Sequence, residues 1–295
     1  MTGQIPTRLY KYRSFDSLSL RLLCESESWY SCPSAFNDPL ESLPEPIDDI
    51  DQIELMALHD YFCEGRGGDI RDGYRYGYDE EGGEFEVEFE QWRRMIVRDI
   101  ANRLVKTVDS CGILTLSQRW NSPLMWSHYA DSHRGFCIEY DATDHRCKYI
   151  DRVSYDSNRG LRLSDIYAWK IKQSKDGLAR FVDSTYFRKA KDWSYEEEWR
   201  DISSHAGVHF APFEVSAIIF GMRCPSQVRT AIMLTYQGTG ASKKPKFYEA
   251  SFKSMSFEMQ RASLDPHEVA YIRPSASMAF GSHQTVRELP FSVDG

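Results

Sequence analysis

Four stretches concentrate side chains that could do chemistry. Leu9-Tyr10-Lys11-Tyr12-Arg13-Ser14 alternates like a short strand, with Lys11 and Arg13 on one side and Tyr10 and Tyr12 on the other. An arginine at a strand end beside aromatic rings can clamp a phosphate or a ribose. Phe36-Asn37-Asp38-Pro39-Leu40-Glu41 sets an amide and two carboxylates in turn chemistry, which reads either as a polar site loop or as ordinary turn punctuation. Met125–Tyr140 (MWSHYADSHRGFCIEY) carries Trp126, His128, Tyr129 and His133. Trp193–Arg200 (WSYEEEWR) read as a strand puts Glu196, Glu198 and Arg200 on one face and Tyr195, Glu197 and Trp199 on the other. An arginine beside paired carboxylates keeps one of them ionised at neutral pH; the alternative is a surface salt-bridge ladder.

These clusters need elements to hold them. Arg13 closes a first strand, and Ser14 or Asp16 caps a helix carrying Leu18, Leu22 and Leu23. Trp29–Cys32 reads as a second strand. Residues 64–83, rich in glycine, tyrosine and charge, read as a mobile loop. From Glu84 the apolar spacing (Phe85, Phe89, Trp92, Ile96, Ile100, Leu104) is helical. Residues 112–117 form a strand, and Ser122-Pro123 opens a helix to about His133, stopped by Gly135. On that helix Trp126, Tyr129, Ala130 and His133 share a face. His128 and His133 lie about 140° apart, so they cannot hold one metal as an i, i+4 pair does. Further strands are expected at 135–141, 149–155, 195–202, 215–221, 246–250 and 268–273, and helices at 176–190 and 225–237. Strands and helices mix without a βαβ period. The expected fold is α+β, a mainly antiparallel split sheet with flanking helices. One domain over 1–295 is expected, with an acidic helical and loop insertion at about 42–108.

The 295 residues, 41% of them hydrophobic and 27% charged, suit a globular chain, and no apolar run approaches a membrane span. MTGQIPTR has no apolar h-region, and seven scattered cysteines without a CxxC suggest reduced thiols, so a cytoplasmic protein is expected. These spacings offer no tetrahedral zinc set. The net charge of -8 hides an asymmetry: residues 41–90 hold seventeen acids and three bases, and the rest of the chain is net positive. That is compatible with an anionic ligand, or with a solvated acidic insertion. GxGxxG, GxxxxGK[ST] and GxSxG are all missing, which removes the best evidence for Rossmann, P-loop and hydrolase-elbow chemistry.

LYKYRS (9–14), SCPSAFNDPLE (31–41), GILTLSQRWNSPLMWSHYADSHRGFCIEYD (112–141), WSYEEEWR (193–200) and AIIFGMR (217–223) together resemble a large bacterial family labelled a domain of unknown function. The resemblance implies an intracellular protein of the kind encoded near mobile elements and phage-defence genes. A second resemblance is to ADP-ribosyltransferases. These have an early strand with an arginine or histidine for NAD, a middle strand–helix unit with serine or tyrosine, and a late strand with a glutamate. Arg13, then Ser117 and Tyr129, then Glu196 and Glu198 match that order. The middle strand departs from the Ser-Thr-Ser pattern; Thr115-Leu116-Ser117 comes nearest. The likeness implies NAD as substrate, Glu198 and Glu196 as catalytic carboxylates, and an NAD set of Tyr12, Arg13, Asn37, Ser117, Trp126, Tyr129 and His133. It also implies a nucleic-acid or protein acceptor and a defence or toxin role. Two other classes stay open. One is a non-catalytic module that senses a nucleotide or phage component. The other is a metal-dependent nuclease using Asp38, Glu41, His128 and His133.

Overall fold

The computed structural model describes residues 4–38, 40–42, 45–78, 84–143, 150–156, 158–238 and 244–269. Its centre is a sheet of eight strands: β1 (Arg8–Arg13), β2 (Gly112–Ser117), β3 (Phe136–Asp141), β4 (Asp151–Arg152), β5 (Glu198–Ser203), β6 (Glu214–Phe220), β7 (Lys246–Phe252) and β8 (Met259–Leu264). They lie in the order β8-β7-β6-β3-β1-β2-β5-β4. Every neighbouring pair is antiparallel except β6 and β7, which the helix Ser226–Gly238 joins. The expected α+β class and mainly antiparallel sheet are therefore present.

The sheet splits where the third cluster needs it to. β1 pairs with β3 along six residues, but with β2 only at Tyr10 opposite Ser117. Beyond that pair the ammonium of Lys11 crosses to β2 and donates to the carbonyl oxygen and the hydroxyl of Thr115, both at 2.7 Å. A side chain thus satisfies a carbonyl that a strand ladder would otherwise have to pair.

Alternation in β1 sorts the core. Leu9 joins Leu114, Leu116, Phe136, Ile138, Trp199, Ile218 and Phe220 on one side, while Tyr10 and Tyr12 pack with Met125, Trp126 and Cys137 on the other. A separate cluster fills the helical layer. Leu55 and Leu58 of the helix Gln52–Phe62 meet Ile96, Ile100 and Leu104 of the helix Phe89–Asp109, and Ile166 and Phe181 close that cluster.

Several boundaries differ from the sequence reading. The stretch expected as a loop holds a helix, Gly67–Gly73, and a strand, Tyr76–Tyr78, that pairs with Glu84–Glu86; residues 79–83 lie outside the described residues. That pairing delays the long helix to Phe89. The helix Pro123–Tyr129 stops four residues early, because Gly135 N–H bonds the Ala130 carbonyl and Asp131, Ser132 and His133 take positive φ. Lys191–Glu196 is a 3-10 turn and Glu197 is left-handed, so the late strand begins only at Glu198. The turn is pinned by Ser117 Oγ donating to the Glu196 carbonyl and by Gln118 N–H donating to that of Glu197. The 149–155 strand is two short pieces, Asp151–Arg152 and Ser154–Tyr155, with Tyr149 outside the described residues. Pro266–Val269 is helical where a strand was expected, positions 270–273 lie outside the described residues, and the last strand is Met259–Leu264.

Gly135 explains one local constraint. A Cβ there would lie 2.1 Å from the Arg13 carbonyl oxygen, where the end of β1 passes the turn. Gly135→Ala should therefore destabilise by about 1–3 kcal/mol, through the clash. Gly68→Ala, in a helix with open space around the new methyl, should be neutral or stabilising by up to about 1 kcal/mol. Denaturant melts of both variants read the difference; equal midpoints would contradict the close approach.

Candidate functional site

The split opens on a cleft of about 230 Å³. That is below the ~300–1,000 Å³ that encloses a drug-sized ligand, and the cleft opens to solvent, so it has room for a group of about nucleoside size with any longer ligand extending outward. One wall is β1 and β2, with Lys11, Tyr12, Thr115 and Ser117. The turn after Ser31 supplies Phe36, Asn37, Asp38 and Glu41, and the helix Pro123–Tyr129 supplies Met125 and Tyr129. Lys189, Trp193, Glu196 and Glu198 form the rest.

The floor is a buried ion cluster. Arg200 is wholly buried and its Nε donates to Glu198 Oε1 at 2.9 Å, Nη2 to Glu198 Oε2 at 3.1 Å, and Nη1 to the Tyr186 carbonyl at 2.6 Å. Its Nη2 also bonds Glu41 Oε1. Lys189 Nζ lies 2.5 Å from Glu196 Oε2, 3.1 Å from Glu198 Oε2 and 3.4 Å from Glu41 Oε2. The Tyr129 hydroxyl donates to Glu196 Oε1 at 2.6 Å. Glu198 N–H donates to the Tyr155 hydroxyl at 2.7 Å. Trp193 Nε1 donates to Asp38 Oδ2, which fixes the indole over the cleft beside Lys189.

This arrangement drives the two carboxylates apart. Burial would raise the pKa of Glu198, but the charges of Arg200 and Lys189 outweigh it and hold the acid down to about 2. Glu196 has no guanidinium partner, and burial pushes it up against the pull of Lys189. Three carboxylates outweigh burial at Lys189 and keep it protonated. Burial, reinforced by the charge of Arg13, lowers Lys11 to about 7. Pairs of acids whose environments separate their pKa values are a mark of acid–base sites.

Of the residues expected to form a site, Tyr12, Asn37, Ser117, Tyr129, Glu196 and Glu198 meet at this cleft. Arg13, Trp126 and His133 do not line it. Arg13 is near Tyr140 and Asp16 at the far end of β1. Trp126 is fully buried beneath Tyr12, with ring centroids 5.3 Å apart, and its Nε1 donates to the Trp120 carbonyl. The left-handed turn swings His133 to the other side of Trp126, stacked at 6.0 Å and near Phe252. For the same reason the nuclease set does not gather: Asp38 and Glu41 line the cleft, His128 is exposed, and His133 lies behind Trp126. Lys189 escaped the sequence reading, since nothing in the run Arg188-Lys189-Ala190-Lys191 marks that lysine as the partner of three acids.

Spacing also missed one group that could be taken for a metal site. The ligand atoms of His59, Cys63 and Asp99 lie within 4.8 Å of one another. They are already committed. His59 Nε2 and Arg103 Nε both contact Asp99 Oδ2, at 3.0 and 2.7 Å, and Arg71 Nη1 faces His59 Nδ1 at 3.3 Å. An arginine only donates, so Nδ1 must accept and Nε2 carries the proton given to Asp99. Two guanidiniums beside the three ligands oppose a divalent cation, and the group reads as a clamp between two helices.

A family model described as "Protein of unknown function (DUF2971)" matches residues 125–200. That span contains Tyr129, Lys189, Glu196, Glu198 and Arg200, whereas LYKYRS and SCPSAFNDPLE lie outside it. No curated protein and no solved structure matched the chain. Among the described residues no helix is long and apolar enough to cross a membrane.

Two titrations test the site. Because the folded pKa of Glu198 is depressed to about 2, its contribution to stability is complete above pH ~4.3 and is lost as the pH falls toward 2. Denaturant stability measured from pH 6 to 2 should therefore fall less steeply in Glu198→Gln than in wild type. An identical acid limb would contradict the ion cluster. In NMR of lysine-labelled protein, one ammonium should titrate near 7 and vanish in Lys11→Met; all lysines titrating above 10 would contradict the burial of that amine.

Proposed function

We propose that the cleft cleaves the N-glycosidic bond of NAD and passes ADP-ribose to a protein or nucleic-acid acceptor, in a bacterial defence or toxin setting. The observation that carries the reading is the pair Glu196 and Glu198, one with its pKa raised and one held ionised, converging on a nucleoside-sized cleft from a single turn and strand. Glu198, held ionised, supplies a negative charge of the sign that suits an oxocarbenium-like ribose. The C1′–N bond breaks with its electron pair leaving on nicotinamide. The acceptor oxygen or nitrogen then bonds C1′ and gives its proton to Glu196, whose raised pKa makes it the better base. Glu198 stays an anion throughout and supplies field, while Trp193, Tyr12 and Tyr129 offer rings beside the base.

A second reading has its own support. Both Glu198 oxygens are engaged by Arg200 and Lys189, which leaves little acceptor capacity for a ribose hydroxyl. A site that binds a nucleotide without turning it over, as a sensor, would look the same.

Nicotinamide release, transfer to acceptors in a cell extract, and NAD affinity separate the two. A transferase gives release that Glu198→Gln lowers by ~10² or more with little change in NAD affinity. Glu198→Gln also strips a counter-charge from buried Arg200, so its melting temperature falls as well. Glu196→Gln keeps Glu198 on Arg200 and leaves Lys189 paired with Glu41 and Glu198, so its loss of stability should be smaller: release persists, while acceptor labelling falls in favour of hydrolysis. Wild type that binds NAD but never releases nicotinamide in extract would establish the sensor instead.

A further inference from the structure

A second cavity, of about 120 Å³, shares Asp38, Glu41 and Lys189 with the cleft. Its wall also carries Ser42 and Thr185, which are 5% and 1% exposed. The hydroxyls of both are buried and find no hydrogen-bond partner. Native proteins rarely leave such groups unmet, because each forfeits its hydration on burial. Finding two on one small cavity points to something that occupies it.

The open capacity is for donation. The carboxylates shared with the cleft are bonded, Glu41 by Arg200 and Lys189 and Asp38 by the Leu40 N–H and Trp193 Nε1, while Asp156 accepts the Asn158 N–H through Oδ1. Arg188 and Arg159 also line the cavity. Each has one side-chain contact, Arg188 to Asp183 at 3.2 Å and Arg159 to Glu45 at 3.3 Å. A guanidinium has five N–H groups, so most of theirs remain for a ligand. Two hydroxyls and two guanidiniums around a space of this size suit a tetrahedral oxyanion.

We propose that this cavity is a phosphate subsite, holding either free inorganic phosphate or the phosphate of a nucleotide whose other end reaches the cleft. The inference does not depend on glycosyl transfer, since phosphate can be bound whether or not NAD is consumed.

Calorimetry on the full chain, with inorganic phosphate and separately with AMP at constant ionic strength, tests it. Wild type should bind phosphate at one site. Thr185→Val, Ser42→Ala and Arg188→Gln should each weaken that binding at least ~10-fold, the effect of losing one hydrogen bond to a charged group. Thr185→Val keeps the shape and removes an unpaired hydroxyl, so its melting temperature should not fall. A folded variant that has lost phosphate then isolates the subsite. AMP binding tighter than phosphate, and weakened by the same three substitutions, identifies the nucleotide source; phosphate binding alone identifies the free anion. Absence of phosphate and AMP binding, or affinities untouched by all three substitutions, would overturn the proposal.

Discussion

Arg200 is the interaction on which the rest depends. A guanidinium with no exposed surface costs several kcal/mol in lost hydration unless its partners are in place. Here they come from three segments: Glu41 from the turn after Ser31, Glu198 from Arg200's own strand, and the Tyr186 carbonyl from the end of the helix Lys175–Tyr186. Lys189 then bridges Glu41, Glu196 and Glu198. Each acid that is removed leaves a buried cation with one partner fewer, so the segments stabilise one another when they come together. The cleft floor is consequently rigid where a binding or catalytic surface needs it to be.

The sheet supplies the space above that floor. Strands that stayed paired along their length would leave no room between β1 and β2. Pairing at Tyr10–Ser117 and divergence beyond it opens the cleft, and Lys11 offsets the lost ladder by bonding Thr115. The same lysine thereby comes to sit, with its pKa lowered, opposite the paired carboxylates. One local departure from regular pairing produces both the cavity and an unusual amine inside it.

The acidic stretch plays a different part. Part of its charge is met by arginines of the helical layer, Asp48 by Arg93 and Asp60 by Arg71, and in the helix that follows Asp99 meets Arg103 and His59. Its apolar residues build a core of their own with Ile166 and Phe181. It is a packed layer over one side of the molecule, joined to the cleft through Glu41 at its leading edge.

Periodicity and turn chemistry in the sequence determined the α+β class and mainly antiparallel sheet, and located strands at 9–13, 112–117, 135–141 and 215–221 to within a residue. These rest on local physics: alternation, capping, and glycine at a stop. Glu196, Glu198, Tyr129, Asn37 and Tyr12 were legible because reactive side chains clustered within short segments, and Ser117 through the resemblance to ADP-ribosyltransferases. Tertiary structure alone decided the rest. Whether His133 faces the cleft depends on three consecutive positive φ values beside Gly135 and the passing end of β1, which no helical wheel anticipates. Lys189 and Arg200 acquire their roles only through acids up to 159 residues away. The difference in pKa between two glutamates two residues apart arises from burial and from which cation each one meets, and neither is a property of the segment that carries them.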